Sequence, residues 1–302
     1  MSDMPRSQRT RRDFLRTLAL SAGVTLVGGC ARLPFGGAGR KMPAQTRWAL
    51  LADTHVSLDL NEMQRGCNID DNFKLVVAEV LKAAPDQVAI AGDLARLEGK
   101  EGDYRVMREL IEPLVSRIPV AIAFGNHDHR ENFRKVITWD AGKAAPVKGK
   151  RVRILEQAGL RFVMLDSLLT EKIVGGLLGK DQRVWLEKFL DESDRRPTFL
   201  FLHHTMTDTD GSLLDTDRFF KIILPRKQVK AVFYGHSHEY KYEKIKGMHL
   251  VNIPAVGYNF NDTQPMGWLE ACFHAEGGDF TLRAFAGNMT QNGKTASLSW
   301  RG

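Results

Sequence analysis

The chain has 302 residues, 43% hydrophobic and 26% charged, an ordinary globular balance. Of its formal charge of +7, five Arg against two Asp in residues 1–29 account for +3, leaving +4 on the rest. With no basic run interleaved with aromatics, this excess argues against a nucleic-acid surface and leaves a mildly positive rim that helps anionic substrates arrive.

The first predicted element is an address. Thr10-Arg11-Arg12-Asp13-Phe14-Leu15-Arg16 precedes a soft apolar stretch, Thr17 to Val27, short for a membrane span and rich in Ala, Gly and Ser. It resembles a twin-arginine export signal. Val27-Gly28-Gly29-Cys30 then resembles a bacterial lipoprotein box, which implies cleavage before Cys30, lipidation of its thiol, and a membrane-tethered protein in the periplasm or cell envelope. The competing reading is a basic N-terminal helix with an incidental Cys. Residues 1–29 are thus expected to be a signal, 30–45 a Gly-rich tether and 46–302 one folded domain. Twin-arginine export carries proteins already folded, which suits a site whose metals are loaded as it folds. Cys67 and Cys272 either pair in an oxidising compartment or stay as thiols.

Beyond the tether, apolar runs alternate with helical spacing. Trp48–Ala52, Val88–Ala91, Val120–Phe124, Arg161–Asp166, Phe199–Leu202 and Ala231–Tyr234 read as buried strands. Between them, Asp70 to Ala84 sets Phe73, Val76, Val77, Val80 and Leu81 on one face before Pro85. Asp103 to Glu112 repeats the pattern with Pro113 as its stop, and Asp181–Leu190 and Asp217–Leu224 follow. Strand, helix, strand is the mark of mostly parallel sheets. After Gly235, Tyr240–Ile245, Met248–Ile253, Trp268–Phe273 and Phe280–Phe285 suggest an antiparallel layer. The expected fold is an α/β β-sandwich with mixed sheets and flanking helices.

Five of the strands stop at metal-binding side chains: Asp53-Thr54-His55, Gly92-Asp93, Gly125-Asn126-His127-Asp128, His203-His204 and Gly235-His236-Ser237-His238. In α/β sheets ligands sit outside the strand carboxyl ends, so the five junctions predict one constellation of carboxylate, amide and imidazole donors. The set exceeds what one ion needs and suits two that share a carboxylate. Gly92 and Gly125 are expected to let the backbone turn sharply beside the ligands.

These blocks, in this order and spacing, resemble the calcineurin-like metallophosphoesterases. Gly125-Asn126-His127-Asp128-His129-Arg130, with Leu165-Asp166-Ser167 before Asp181-Gln182-Arg183-Val184-Trp185-Leu186, resembles the branch of class III cyclic nucleotide and glycerophosphodiester phosphodiesterases. The resemblance implies two transition-metal ions, Fe, Mn or Zn. Asp53, His55, Asp93 and His238 would hold one; Asp93 as bridge, Asn126, His203 and His236 would hold the other. It further implies attack on phosphorus by a hydroxide shared between the ions. His127, oriented by Asp128, would contact the phosphate and protonate the leaving oxygen, with Asn126 and His204 also touching substrate. Where the family usually has Pro after its paired His, this chain has Thr205-Met206, so the ligand is His203 or His204, with His203 preferred. His129, Tyr258 and Asn259 are further pocket candidates, and Asp166-Ser167 reads as a structural strand end. The expected partner is a small phosphate ester. A nuclease and a non-catalytic metal- or phosphate-binding lipoprotein are the rival functions.

Overall fold

The computed structural model describes residues 44–302, so the signal, Cys30 and nearly all of the tether lie outside the described residues. In chain order its elements are β1 (Gln45–Leu51), the hairpin β2 (Met63–Gln64) and β3 (Cys67–Asn68), α1 (Ile69–Ala83), β4 (Gln87–Ala91), α2 (Glu101–Val115), β5 (Val120–Ala123), α3 (Arg130–Val136), β6 (Lys143–Ala144), β7 (Arg153–Gln157) and β8 (Leu160–Met164). There follow α4 (Gly179–Glu192), β9 (Thr198–Phe201), α5 (Thr216–Ile223), β10 (Val229–Tyr234), β11 (Lys241–Ile245), β12 (Met248–Asn252), β13 (Pro265–His274), β14 (Gly277–Gly287) and β15 (Thr295–Ser299).

Two mixed sheets face each other. One runs β15-β14-β13-β1-β4-β5 and the other β11-β12-β10-β9-β8-β7-β6. The continuous apolar runs follow from burial on both strand faces. Along β1, Trp48 and Leu50 point into the sandwich while Ala49 and Leu51 meet the helices; along β4 and β5, Ala89, Ala91, Ala121 and Ala123 point in while Val88, Ile90, Val120 and Ile122 point out. The small inward residues leave room for aromatics. Trp48 stacks on Phe162 with ring centroids 4.0 Å apart, and Phe199, Phe201, Phe233, Phe273 and Phe280 fill the rest. Truncating one such ring costs about 3–5 kcal/mol. α1, α2 and α3 cover the first sheet, and α4 and α5 the second.

The strands after Gly235 do not form a single antiparallel layer. β11 and β12 extend the second sheet, with β12 parallel to β10, whereas β13, β14 and β15 extend the first. Pro113 lies inside α2 rather than ending it. It is exposed and near the last turn, where the carbonyl it leaves unpaired can be hydrated. Cys67 is a free thiol in β3 and does not pair with Cys272 of β13. Among the described residues no helix is long and apolar enough to cross a membrane.

Candidate metal centre

Asp53 and His55 follow β1, Asp93 follows β4, Asn126 and His127 follow β5, His203 follows β9, and His236 and His238 follow β10. Backbone bonds zip these loops together: Asp53 N to Gly92 O (3.1 Å), His55 N to Asp93 O (2.9 Å) and Gly235 N to His203 O (3.0 Å). The Asp53 carboxylate in addition accepts the amide of His236, tying the first sheet to the second. Three sets of side chains result, Asp53/His55/His238, His55/Asp93/His127 and Asp93/His203/His236, each with its donor atoms within 4.8 Å of one another. Asp93 belongs to two of them. Its Oδ2 lies 3.8 Å from His55 Nε2, 3.9 Å from His127 Nε2 and 3.2 Å from His203 Nε2.

The imidazoles are aimed by carbonyl groups. His203 Nδ1 bonds Ala91 O (2.8 Å), His238 Nδ1 bonds Tyr258 O (2.6 Å) and His127 Nδ1 bonds Leu97 O (2.8 Å), while His236 bonds the Gly211 carbonyl. A carbonyl only accepts, so each of these ring nitrogens carries a proton, and in the neutral ring the other keeps its lone pair. The free nitrogens converge: His55 Nε2 and His238 Nε2 are 3.1 Å apart, as are His203 Nε2 and His236 Nδ1.

Burial sets the charges. It pushes His236 down to about 4 and His238 to about 3, and holds His55 well below its ordinary value, so all three are neutral donors near pH 7. Burial likewise raises Asp53 to about 7. At His203 burial opposes the cation, but the Asp93 carboxylate, the bond to it and Asp53 outweigh that and raise the ring to about 9. Burial also opposes the Asp93 anion, yet His203 and His127 hold it well below the usual carboxylate range. A proton on His203 thus plays, electrostatically, the part of a cation among these anions.

The residues fit a pair of metal ions on their own chemistry. At 3.1 Å each facing pair of ring nitrogens is joined either by one shared proton, as His203 supplies, or by a cation that both lone pairs can bind. The buried Asn126 Oδ1 has no hydrogen-bond partner, an orphan acceptor of the kind a cation satisfies. Five of the positions, Asp53, His55, Asp93, His236 and His238, hold positive φ between 49° and 75°. Non-glycine residues rarely adopt this conformation, and it clusters at functional sites. Gly92 has φ +87°, whereas Gly125 is needed for room: a Cβ there would sit 2.6 Å from Asp93 N and 2.7 Å from His203 Cδ2.

Some expected placements differ. Asp128 does not meet the His127 ring. Its buried carboxylate accepts the amides of Gly125 (2.9 Å), Leu94 (3.1 Å) and Ala95 (3.4 Å) and the Tyr104 hydroxyl (3.2 Å), so it clasps the two ligand loops. His204 is fully buried, bonds Ser167 Oγ through Nδ1 (2.8 Å) and does not line the cavity at the centre. Ser167 Oγ also accepts the His203 amide, so this strand end braces the paired histidines. His129 caps α3 and Asn259 bonds Gln264 O, both away from the cavity lining, which does include Tyr258. Sequence reasoning missed the rest of that lining, notably Thr205, Thr207 and Thr209 joined through Ser212, and Tyr234, Glu239 and Asn252. The alternating Thr205-X-Thr207-X-Thr209, standing where a Pro was expected, was the available signal.

Residues 46–240 match the model of the calcineurin-like phosphoesterase family. The chain belongs to this family. It is accordingly a metallophosphoesterase, a hydrolase of phosphoric esters. A probable cyclic nucleotide phosphodiesterase of Synechococcus is 31% identical over 231 residues, 73% of this chain and 84% of the relative. The glycerophosphodiester phosphodiesterase GpdQ of Enterobacter lignolyticus is 24% identical, over 72% of this chain and 81% of its own. Among solved structures, a dimetal phosphatase from Danio rerio shares the fold, with a TM-score of 0.64 and 12% identity over 86% of this chain and 100% of that one.

Proposed function

We propose that this metallophosphoesterase hydrolyses small phosphodiesters with two divalent ions. Asp53, His55 and His238 would hold one ion, Asn126, His203 and His236 the other, and Asp93 would bridge them. The observation that carries this reading is the overlap of the donor sets on Asp93, with His55, His236 and His238 held neutral by burial, His203 paired with Asp93 and the Asn126 oxygen unspent. When bound, two such ions supply Lewis acidity to the phosphoryl oxygens and lower the pKa of water. The chain's own residues do the rest. His127 is partly exposed to the cavity with Nδ1–H held by Leu97 O, so its Nε2 faces the substrate space; with a second proton on Nε2, as the imidazolium, it can donate to a phosphoryl oxygen and give that proton to the leaving alcohol, returning to the neutral ring. Asp128 and Ser167 keep the loops beneath it in register.

A diester preference is supported by the named activities of the relatives from Synechococcus and Enterobacter lignolyticus. The imidazole, carboxylate and amide donors suit Fe, Mn or Zn. Export by a twin-arginine route and lipidation at Cys30 belong to the same proposal and rest on the Arg11-Arg12 and Gly28-Gly29-Cys30 motifs alone.

The test is elemental analysis of the purified chain, then turnover of bis(p-nitrophenyl) phosphate against the monoester with Mn, Fe and Zn in turn. Faster hydrolysis of the diester with two metals per chain supports the proposal. Full metal occupancy with no turnover of either ester would identify a binding protein instead.

A further inference from the structure

The cavity at the metal centre, about 510 Å³, extends past His236 and His238 into a lobe that the phosphate chemistry does not use. Its lining there is Tyr234, at the end of β10, Ser237 and Glu239, from the turn carrying the two histidines, Lys241 and Glu243 in β11, and Asn252, the last residue of β12. Asn252 is only 2% exposed, and its amide nitrogen donates to Ser237 Oγ. Its Oδ1, however, is buried with no partner. Buried acceptors are rarely left unpaired, because the lost hydration is not returned. Lys241 spends its charge on Glu243 at 2.9 Å, leaving Glu239 as the uncompensated carboxylate. Glu239 and Glu243 line the cavity together with Tyr234, so the acidic groups border the same space.

We infer that this lobe receives the alcohol component of the phosphodiester and selects one that carries a primary ammonium, through Asn252 Oδ1 and the Glu239 carboxylate. The lobe offers acceptors and net negative charge; a donor-bearing group supplies what both lack. An apolar alcohol of the same size leaves Asn252 Oδ1 unpaired, and sites built to hydrogen-bond a substrate group discriminate strongly against analogues that lack it. The inference rests on the phosphodiesterase reading and names the alcohol that site accepts.

The test uses the metal-loaded chain and three chromogenic diesters, the p-nitrophenyl phosphodiesters of ethanolamine, choline and propanol. Ethanolamine and choline carry the same positive charge, but only ethanolamine has N–H donors. The expected kcat/KM order is ethanolamine over choline by at least about tenfold, with propanol lowest. Asn252→Leu and the exposed Glu239→Gln should each reduce the ethanolamine-to-choline ratio towards one, and the second variant stands if the first does not fold. A wild-type ratio near one, or equal loss on all three esters in both variants, overturns the lobe's role while leaving the enzyme a phosphodiesterase. No release of p-nitrophenolate from any ester with metals bound defeats the phosphodiesterase reading instead.

Discussion

Gly125→Ala is the sharpest perturbation of the centre, because the residue does not have positive φ and the change adds one methyl without backbone strain. The new Cβ would lie 2.6 Å from Asp93 N and 2.7 Å from His203 Cδ2, and nearer still to Asp93 Oδ1. Ordinary contact begins at 3.4 Å, so the Asp93 amide and the His203 ring must retreat by about 0.7–0.8 Å, and the Asp93 carboxylate by more, in a close-packed interior. They belong to the proposed bridging residue and one of its imidazole neighbours. A misplacement near 1 Å costs roughly 10²-fold in rate, equivalent to about 2.7 kcal/mol of barrier, and overpacking costs a further 1–3 kcal/mol or so of stability. The assay is kcat/KM for a phosphodiester beside bound metal by elemental analysis. The control is Gly159→Ala, at φ +74° with nothing within 4 Å of the new atom. It carries strain of about 1 kcal/mol and no steric contact, so its activity should match wild type. If Gly125→Ala keeps activity within twofold and both metals, the tight approach of β5 to Asp93 does not govern the chemistry.

His127→Ala should keep the metals and lower kcat by about 10²–10⁴; loss of metal from the variant would make His127 a ligand, a role its place beside His55 and Asp93 allows. Asp128→Asn replaces an acceptor of four donors by a group with one acceptor oxygen, so calorimetry should show a melting temperature lower by roughly 2–12 °C. In metal-free protein, His203 is raised from 6.5 to about 9, so it binds more protons folded than unfolded across that interval. Its stabilising contribution is complete below pH 6.5 and is lost as pH rises through 9. Lys150, depressed by burial to about 8, works in the opposite sense only above that pH. His55, His236 and His238, held low by burial, oppose this only until their unfolded forms have lost their protons just above pH 6.5, so denaturant midpoints of chelator-treated protein should fall from about pH 7 to 8, and metal, by binding His203 in place of its second proton, should flatten the slope; a rising midpoint there would contradict the His203–Asp93 pairing.

The clustered Asp, Asn and His positions were legible because each sits where an apolar strand ends, and a strand buried on both faces is a conspicuous run of Val, Ile, Leu and Ala. Asn126 beside Gly125, or His238 after Gly235, could be placed without knowing which sheet held it. What the sequence hid was anything decided across sheets. β12 and β13 look alike as β-forming stretches, yet β12 lies parallel to β10 and β13 antiparallel to β1, a choice made by the long connection between them. α3 has seven residues, too few for helical periodicity, and is capped by His129, a residue not noted for that role. Asp128 follows His127 and so looked like its orienting carboxylate, but adjacent residues diverge on leaving a turn, and its partners come from the Leu94–Ala95 segment and Tyr104. Asn252 and Tyr234 carry no motif, and only the cavity shows why they matter.

The positive φ values explain why sequence and centre are tied so closely. A side chain leaving a strand end must turn inward within one or two residues, and left-handed backbone makes that turn in the shortest distance. Asp53, His55, Asp93, His236 and His238 all take it, each at a cost of about 1–3 kcal/mol. Part of that strain is offset by the bonds from Asp53 N to Gly92 O, His55 N to Asp93 O and His236 N to the Asp53 carboxylate, which exist only when the loops are strained. The remainder is what cations bound between His55 and His238 and between His203 and His236 would supply. Structural zinc sites release about 10–16 kcal/mol on binding, the scale this remainder requires. The centre is thus held under tension by two rigid sheets and would be relaxed by the proposed cations, so metal-free protein should loosen first at these five loops while the aromatic sandwich between the sheets stays intact.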